Sequence, residues 1–358
     1  MQDSIHAVKS YFASANTTDG FVSFFPEIFS GCRKLYIIKG GPGTGKSRLL
    51  RDISNEARNR DYQVEHFLCS SDPNSLDGIL ITDLGIGIVD GTAPHTLDPV
   101  YPGAFDEIIN LGDFWKPDRL LAKKEKIEAI TDRKKELFVT VYHFLSAYGM
   151  IDSERRKLIE QVIQYEKMRA AIFRLMRKVK HGSGFRLDIR LNEAITMDGV
   201  VYYPTYETAA ETRYYLRDRY GIGYLLLHEI IRCAEEKKQP VTVSYSPYNI
   251  QCENAVFLPE SGISYTILHE GEEITPEDHV INTERFIDTD GVRQMKAKLR
   301  FAARCCSSLL DGAVETLSEI KKLHFELEDI YSSAMDFRKK EEYTKRWLIK
   351  LFGKSSGK

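Results

Sequence analysis

Only six of the 358 residues are cysteine (Cys32, Cys69, Cys233, Cys252, Cys305 and Cys306), and no two of them stand in CxxC spacing. That pattern carries neither a disulfide framework nor the ligand spacing of a structural zinc site. It predicts reduced thiols in a cytoplasmic setting. Long hydrophobic runs are also lacking. None approaches the roughly 18 apolar residues of a spanning helix, so no membrane span is expected. The opening stretch MQDSIHAVKSYF has no basic start and no continuous apolar core, and is read as no secretory signal. An excess of one charge is missing too. Fifty basic residues against 52 acidic ones leave a formal charge of −2, which argues against bulk attraction to nucleic acid or anionic lipid. What remains is an apolar fraction of 42% and a charged fraction of 28%, an ordinary globular balance that excludes disorder. At about 150 residues per domain, the length predicts two domains.

One stretch dominates the functional reading. The β-branched run Leu35 to Lys39 precedes GGPGTGKS (Gly40, Gly41, Pro42, Gly43, Thr44, Gly45, Lys46, Ser47). Arg48 then opens a segment in which Leu49, Leu50, Ile53 and Ala57 share one helical face. This is the G-x-x-x-x-G-K-[ST] pattern with a strand before it and a helix after it, the context that a phosphate-binding loop requires. Glycines let the backbone turn so that its N–H groups face phosphate oxygens, and the helix N-terminus adds positive potential there. Lys46 is expected on the β- and γ-phosphates of ATP, which is favoured over GTP, and the Ser47 hydroxyl on Mg²⁺.

Such a loop needs an acid at the end of a neighbouring strand to hold the metal. Asp90 ends LGIGIVD and is the first choice. Asp72 and Asp77, in SSDPNSLDG after the strand-like VEHFLC, are its rivals. No Glu follows Asp90, so a water-polarising base must come from elsewhere, and His95 and Asp72 are the candidates. Arg48 and Arg51 read as an exposed helix face, and no arginine finger can be assigned.

The chain also repeats itself. TTDGFVSFF at Thr17 to Phe25 returns as TMDGVVYYP at Thr196 to Pro204, and GTGKSRLL falls on GIGYLLLH. In the second copy Lys46 is matched by Tyr224, Ser47 by Leu225 and Asp90 by Ile267. One competent site and one pseudo-site are expected. The predicted fold is a P-loop NTPase-type α/β fold, duplicated, with a mainly parallel sheet in each lobe. The lobes are placed at 1–182 and 183–358, with helical segments at 118–180 and 292–352 and a linker at Lys180 to Phe185. Leu120, Ile127, Ile130, Leu137, Val141 and Phe144 make one helical stripe, and Leu158, Val162, Met168, Ile172 and Leu175 a second. Leu310, Ala313, Leu317, Ile320, Leu327 and Ile330 make a near-heptad seam, and a basic helix follows from about Met335 to Phe352. Packing between helical hairpins is the first reading of these stripes; docking of a protein partner is the second.

With GGPGTGKS, CSSDPNSLDG, IVDGTAPH and YPGAFDEIINLGDFW quoted, the chain resembles an uncharacterised bacterial family of tandem P-loop ATPases, most closely over residues 17 to 115. The resemblance implies ATP binding and marks the loops around Cys69 to Asp77 and Pro94–His95 as site walls. It brings no substrate. In that family the second lobe can carry its own P-loop, which here reads YGIGYL. Three functions stay open: a Mg²⁺-dependent ATPase that moves its helices, a small-molecule or nucleotide kinase, and a non-catalytic ATP-dependent scaffold.

Overall fold

The computed structural model describes residues 8–269 and 271–353, so Met1 to Ala7 of the stretch read as no secretory signal lie outside the described residues. From the N-terminus run β1 (Lys9–Phe12), β2 (Ser14–Thr17), β3 (Gly20–Ser23), α1 (Phe25–Phe29), β4 (Lys34–Lys39), α2 (Lys46–Arg58), β5 (Val64–Leu68), β6 (Leu76–Ile81), β7 (Ile86–Asp90) and β8 (Asp106–Asn110). Then come α3 (Pro117–Leu121), α4 (Lys124–Glu160) and α5 (Tyr165–Met176). The second half continues with β9 (Leu187–Ile189), β10 (Glu193–Thr196), β11 (Gly199–Tyr202), α6 (Thr205–Ala209), β12 (Thr212–Arg217), α7 (Gly223–Glu236), β13 (Val241–Ser246), β14 (Asn249–Leu258), β15 (Ile263–Ile267) and β16 (His279–Asn282). It ends with α8 (Thr289–Ser332) and α9 (Phe337–Phe352).

The sheets run β1-β5-β6-β7-β4-β8 and β9-β13-β14-β15-β12-β16, the same strand order twice. Each is mainly parallel, as expected, with one reversed strand. In the first, β6 is antiparallel to both β5 and β7, while β1–β5, β4–β7 and β4–β8 are parallel. The short links explain this. Thr82–Leu84 and Gly85 join β6 to β7, too few residues for the crossover that a parallel pair needs. The parallel core of each α/β sheet is where the expected strands fall, and α2 and α7 pack on it through Leu49, Leu50 and Ile53, and through Leu226, Leu227 and Ile230.

The halves join at matching positions. Phe12 and Leu191 exchange backbone N–H···O bonds of 2.7 and 3.1 Å. Asn16 pairs with Ile195, 179 residues later, and its side-chain amide donates to the Ile195 carbonyl at 2.9 Å. The hairpins β2–β3 and β10–β11 thereby form one four-stranded sheet across the junction.

The helices cross that junction. At 1.5 Å per residue, α4 and α8 span about 55 and 65 Å. They lie antiparallel, with Lys126–Glu326 at 2.6 Å, Arg133–Glu319 at 3.1 Å and the Phe144 ring against Gly312. Leu137, Val141 and Leu145 pack on Ala313, Leu317 and Ile320. The stripes read from the sequence therefore face each other. The second stripe is divided: Leu158 ends α4, a turn intervenes, and α5 carries Met168, Ile172 and Leu175.

Packing does not follow the 182/183 division of the chain. Met168, Ile172 and Met176 of α5 enter the core of the second sheet with Leu216, Val243 and Tyr265. Trp347 of α9 enters the core of the first, its ring edge-on to Tyr36 at 4.9 Å between centroids. The crossings match: Gln164 N–H donates to Phe286 O and Asp288 N–H to Val162 O, while Asp336 N–H donates to Phe114 O and Lys116 N–H to Ala334 O, each at 2.8 Å.

Two predictions follow from the junction and the exchange. Glu193, in β10, is fully enclosed, and burial pushes its carboxyl from the ordinary 4.5 up to about 7 against hydrogen bonds from Asn254 and Tyr248. His269 Nδ1 stands 4.0 Å away and is held neutral by burial. Below about pH 4.5 both folded and unfolded chains keep the proton. Between there and about 7 only the folded chain keeps it, so stability falls as pH rises, by roughly 3 kcal/mol in full. Glu193→Gln should raise the melting temperature by several degrees at pH 8 and leave it near wild type at pH 5, read by thermal unfolding. Trp347→Ala should cost about 3–5 kcal/mol, and hydrogen exchange should quicken in α2 of the opposite half.

Candidate functional site

The strand β4 delivers the glycine loop to the edge of the first sheet. Its register with the parallel β7 places Ile38 opposite Asp90, so the loop and the strand-end acid emerge side by side. Gly43 and Gly45 take φ of 66° and 81°, a region where a Cβ is strained, and α2 starts at Lys46. Thr44 Oγ1 donates to Gly41 O at 2.8 Å and pins the turn. The Lys46 ammonium donates to the carbonyls of Gly40 and Gly41 at 2.8 and 2.9 Å and lies 3.5 Å from Asp90 Oδ2. Ser47 Oγ accepts the Leu76 N–H at 3.0 Å, which leaves it one lone pair.

Asp90 is buried. Its Oδ1 accepts from Thr92 N–H at 2.9 Å and from Thr92 Oγ1 at 2.6 Å. Burial raises its carboxyl above the ordinary range, Lys46 opposes the rise, and the charge of Asp77 adds to it. The antiparallel pairing of β6 and β7, with Gly78 opposite Val89, sets Asp77 beside Asp90. His95 folds back from the turn after β7 so that Nε2 is 2.8 Å from Asp77 Oδ2, and its ring lies 5.0 and 5.1 Å from those of Phe21 and Phe25. Burial works against charge on His95, but the charges of Asp77 and Asp90 raise its proton affinity above that of ordinary imidazole. Cys69, at the end of β5, completes this cluster, and burial holds its thiol neutral.

Other expected residues lie outside it. Asp72 Oδ1 accepts from the Asn74 backbone N–H at 3.1 Å and its side-chain amide at 3.3 Å, a loop-closing turn rather than an acid aimed at the P-loop. Arg48 is exposed and pairs with Asp52 at 3.2 Å along the helix, and Arg51 donates to the Asn74 carbonyl.

Six residues around the loop were given no site role from the sequence. Glu328, near the end of α8, has His324 Nε2 3.6 Å from its Oε1. The His324 ring and, against burial, the Gly43 N–H and the Lys46 charge hold its carboxyl below the ordinary range. A Cβ at Gly43 would overlap the Glu328 carbonyl oxygen, so the two chain segments touch. His324 Nδ1 lies 3.2 Å from Lys134 Nζ. Burial lowers the proton affinity of Lys134, while Glu328 and Cys69 oppose that. Lys340 of α9 is buried against Gly45, and Tyr331 and Trp115 cover Gly41. The signal was present. Lys134 falls between Ile130 and Leu137, His324 between Ile320 and Leu327, and Lys340 one step before Thr344 and Trp347, so each is a polar residue on an apolar stripe.

The matching loop of the second half is built differently. Asp218 Oδ1 accepts from Ile222 N–H at 3.0 Å and Oδ2 from Gly223 N–H at 2.6 Å, so the chain's own carboxylate occupies the turn's donors. Leu216 pairs with Ile267 as Ile38 pairs with Asp90, which sets Ile267 at the position of the acid. The same registers set Asn254 at the position of Asp77 and Ser246 at that of Cys69. No helix among the described residues is long and apolar enough to cross a membrane. Compared with known protein families, curated proteins and solved structures, the chain matched none.

Proposed function

We propose that the chain binds ATP with Mg²⁺ at the Gly40 to Ser47 loop and hydrolyses it. The observation that carries this reading is the placement of Lys46 between the loop carbonyls and Asp90, 3.5 Å from that acid at the end of the neighbouring parallel strand. The likeness to tandem P-loop ATPases belongs to the same proposal, as does the reading of the two halves as one duplicated P-loop lobe, the second lacking phosphate chemistry.

The residues fit both groups. The turn amides and the start of α2 offer donors and positive potential to phosphate oxygens. Lys46 turns from the loop carbonyls to the β- and γ-phosphates. The free Ser47 lone pair and the Asp90 carboxylate would hold Mg²⁺, which would supply positive charge to the phosphate oxygens. A buried Asp90 with raised proton affinity is a group that a nearby dication returns to its ionised form. His95, with Asp77 against it, favours the protonated form, which suits a positively charged wall of the site better than a base.

Glu328 sits where an anion belongs, with its backbone against Gly43 and its carboxylate favoured by the Gly43 N–H and the Lys46 charge. A bound phosphate and this carboxylate compete for the same positive potential, so binding drives Glu328 off and loads α8, whose other end lies in the second half. In this reading the phosphate state moves the long helices.

Lys46→Ala should weaken ATP-Mg²⁺ binding by at least about a hundredfold, given 1.5–3 kcal/mol per hydrogen bond to a charged group and two phosphates lost. Calorimetry decides it, and an unchanged affinity removes the proposal. Glu328→Gln keeps the shape and deletes the competing charge. It should tighten ATP about five- to tenfold, equivalent to about 1 kcal/mol, while phosphate release measured with and without added nucleosides or sugars separates hydrolysis from transfer.

A further inference from the structure

We propose that Cys69, Asp77 and His95 form a binding site for one Zn²⁺-class divalent ion, beside the phosphate loop and separate from its Mg²⁺. One ligand-type atom from each lies within 4.8 Å of the others. The three come from different segments: Cys69 from the end of β5, Asp77 from β6 and His95 from the turn after β7. The convergence therefore belongs to the fold and not to a sequence spacing.

The geometry within the cluster favours a shared third partner over a simple pair. Asp77 Oδ2 and His95 Nε2 are 2.8 Å apart. Yet Asp77 Oδ2 has no hydrogen-bond partner of acceptable alignment, although the residue is only 5% exposed. A buried carboxylate oxygen without a donor is costly, and a cation is the usual remedy. Two donor atoms close together but not in line with each other are placed as two ligands of one ion. The ring is oriented by packing against Phe21 and Phe25.

The donor set selects the metal. A thiolate and an imidazole favour Zn²⁺ and its neighbours over Mg²⁺ or Ca²⁺, which take oxygen. Thiolate and carboxylate together supply two negative charges, matching a dication. On binding, the Cys69 thiol and the protonated His95 ring each release a proton to solvent as the sulfur–metal and nitrogen–metal bonds form, and no oxidation state changes. Three protein ligands leave one coordination position open, the pattern of zinc sites that act on a substrate or water. The second half has Ser246 and Asn254 at the Cys69 and Asp77 positions, so among the described residues the ligand set occurs only beside the intact loop.

The test uses the full chain purified without chelator, and does not depend on ATP binding. Elemental analysis should find close to one zinc per chain. After removal of the metal, Co²⁺ titration should produce a near-ultraviolet thiolate-to-cobalt band at one equivalent. Cys69→Ser should abolish the band, and His95→Gln and Asp77→Asn should weaken Co²⁺ binding beyond the 10–100-fold typical of lost outer-shell partners. Cys252→Ser should keep the band, and so should Lys46→Ala and millimolar Mg²⁺, which separates this site from the phosphate loop. Folded wild-type protein with only trace metal and no cobalt band overturns the proposal, as does an undiminished band in Cys69→Ser. Should Cys69→Ser fail to fold, the wild-type titration and the His95→Gln variant decide.

Discussion

The antiparallel pairing of α4 and α8 is the constraint on which the rest of the molecule depends. Each helix starts beside its own sheet and ends beside the other, because the pair is longer than either sheet is wide. The turn after α4 therefore delivers α5 to the second core, and the turn after α8 delivers α9 to the first. Glu328, Tyr331, Phe337 and Lys340, which pack on the glycine loop beside Leu111 and Trp115, arrive by this route. Helix propensity alone could not hold the arrangement. It is held by Leu137, Val141, Ala313, Leu317 and Ile320 in the seam and by four matched backbone bonds at the turns.

Within that frame the two loops show how one local geometry serves different ends. A tight turn before a helix exposes several N–H groups at once, and those donors must be satisfied. In the second half Asp218 satisfies two of them from within the turn, with the Thr283 hydroxyl donating to the same carboxylate at 3.0 Å. In the first half the loop instead faces Glu328, a residue nearly 300 positions away in the chain, whose carboxyl the Gly43 N–H and the Lys46 charge hold below the ordinary range. The first arrangement is local to one turn. The second brings a carboxylate to the loop on a separate helix.

Much of this was legible in the sequence where a pattern is local. The Leu35 to Lys39 strand, the glycine loop, the helix from Lys46 and the Asp90 strand end stand where expected, since each rests on periodicity and turn chemistry within a few residues. So do the helical stripes. What was illegible depends on pairing between distant segments. The reversal of β6 is set by a link too short to read as decisive without its neighbours. The exchange of α5 and α9 is invisible to periodicity, which gives a helix an apolar face and no address for it. Asp72 and Asp77 looked alike as acids in one loop. Only the register of β6 on β7 turns Asp77 towards Asp90, while Asp72 closes its own turn. Lys134, His324 and Lys340 were visible as polar interruptions of apolar stripes, but what they face is decided across the α4–α8 seam.

The exchanged helices also fix what kind of object the chain is mechanically. Residues 180–185 connect the halves covalently, yet that connection is not what keeps them together. Each core holds a helix threaded in from the other side, as two links of a chain hold one another. Pulling the halves apart would require withdrawing Trp347 from one interior and Met168, Ile172 and Met176 from the other. Neither interior can loosen without the other registering it. The two ends of the molecule are thus coupled by tension through the rods, whatever the connector does.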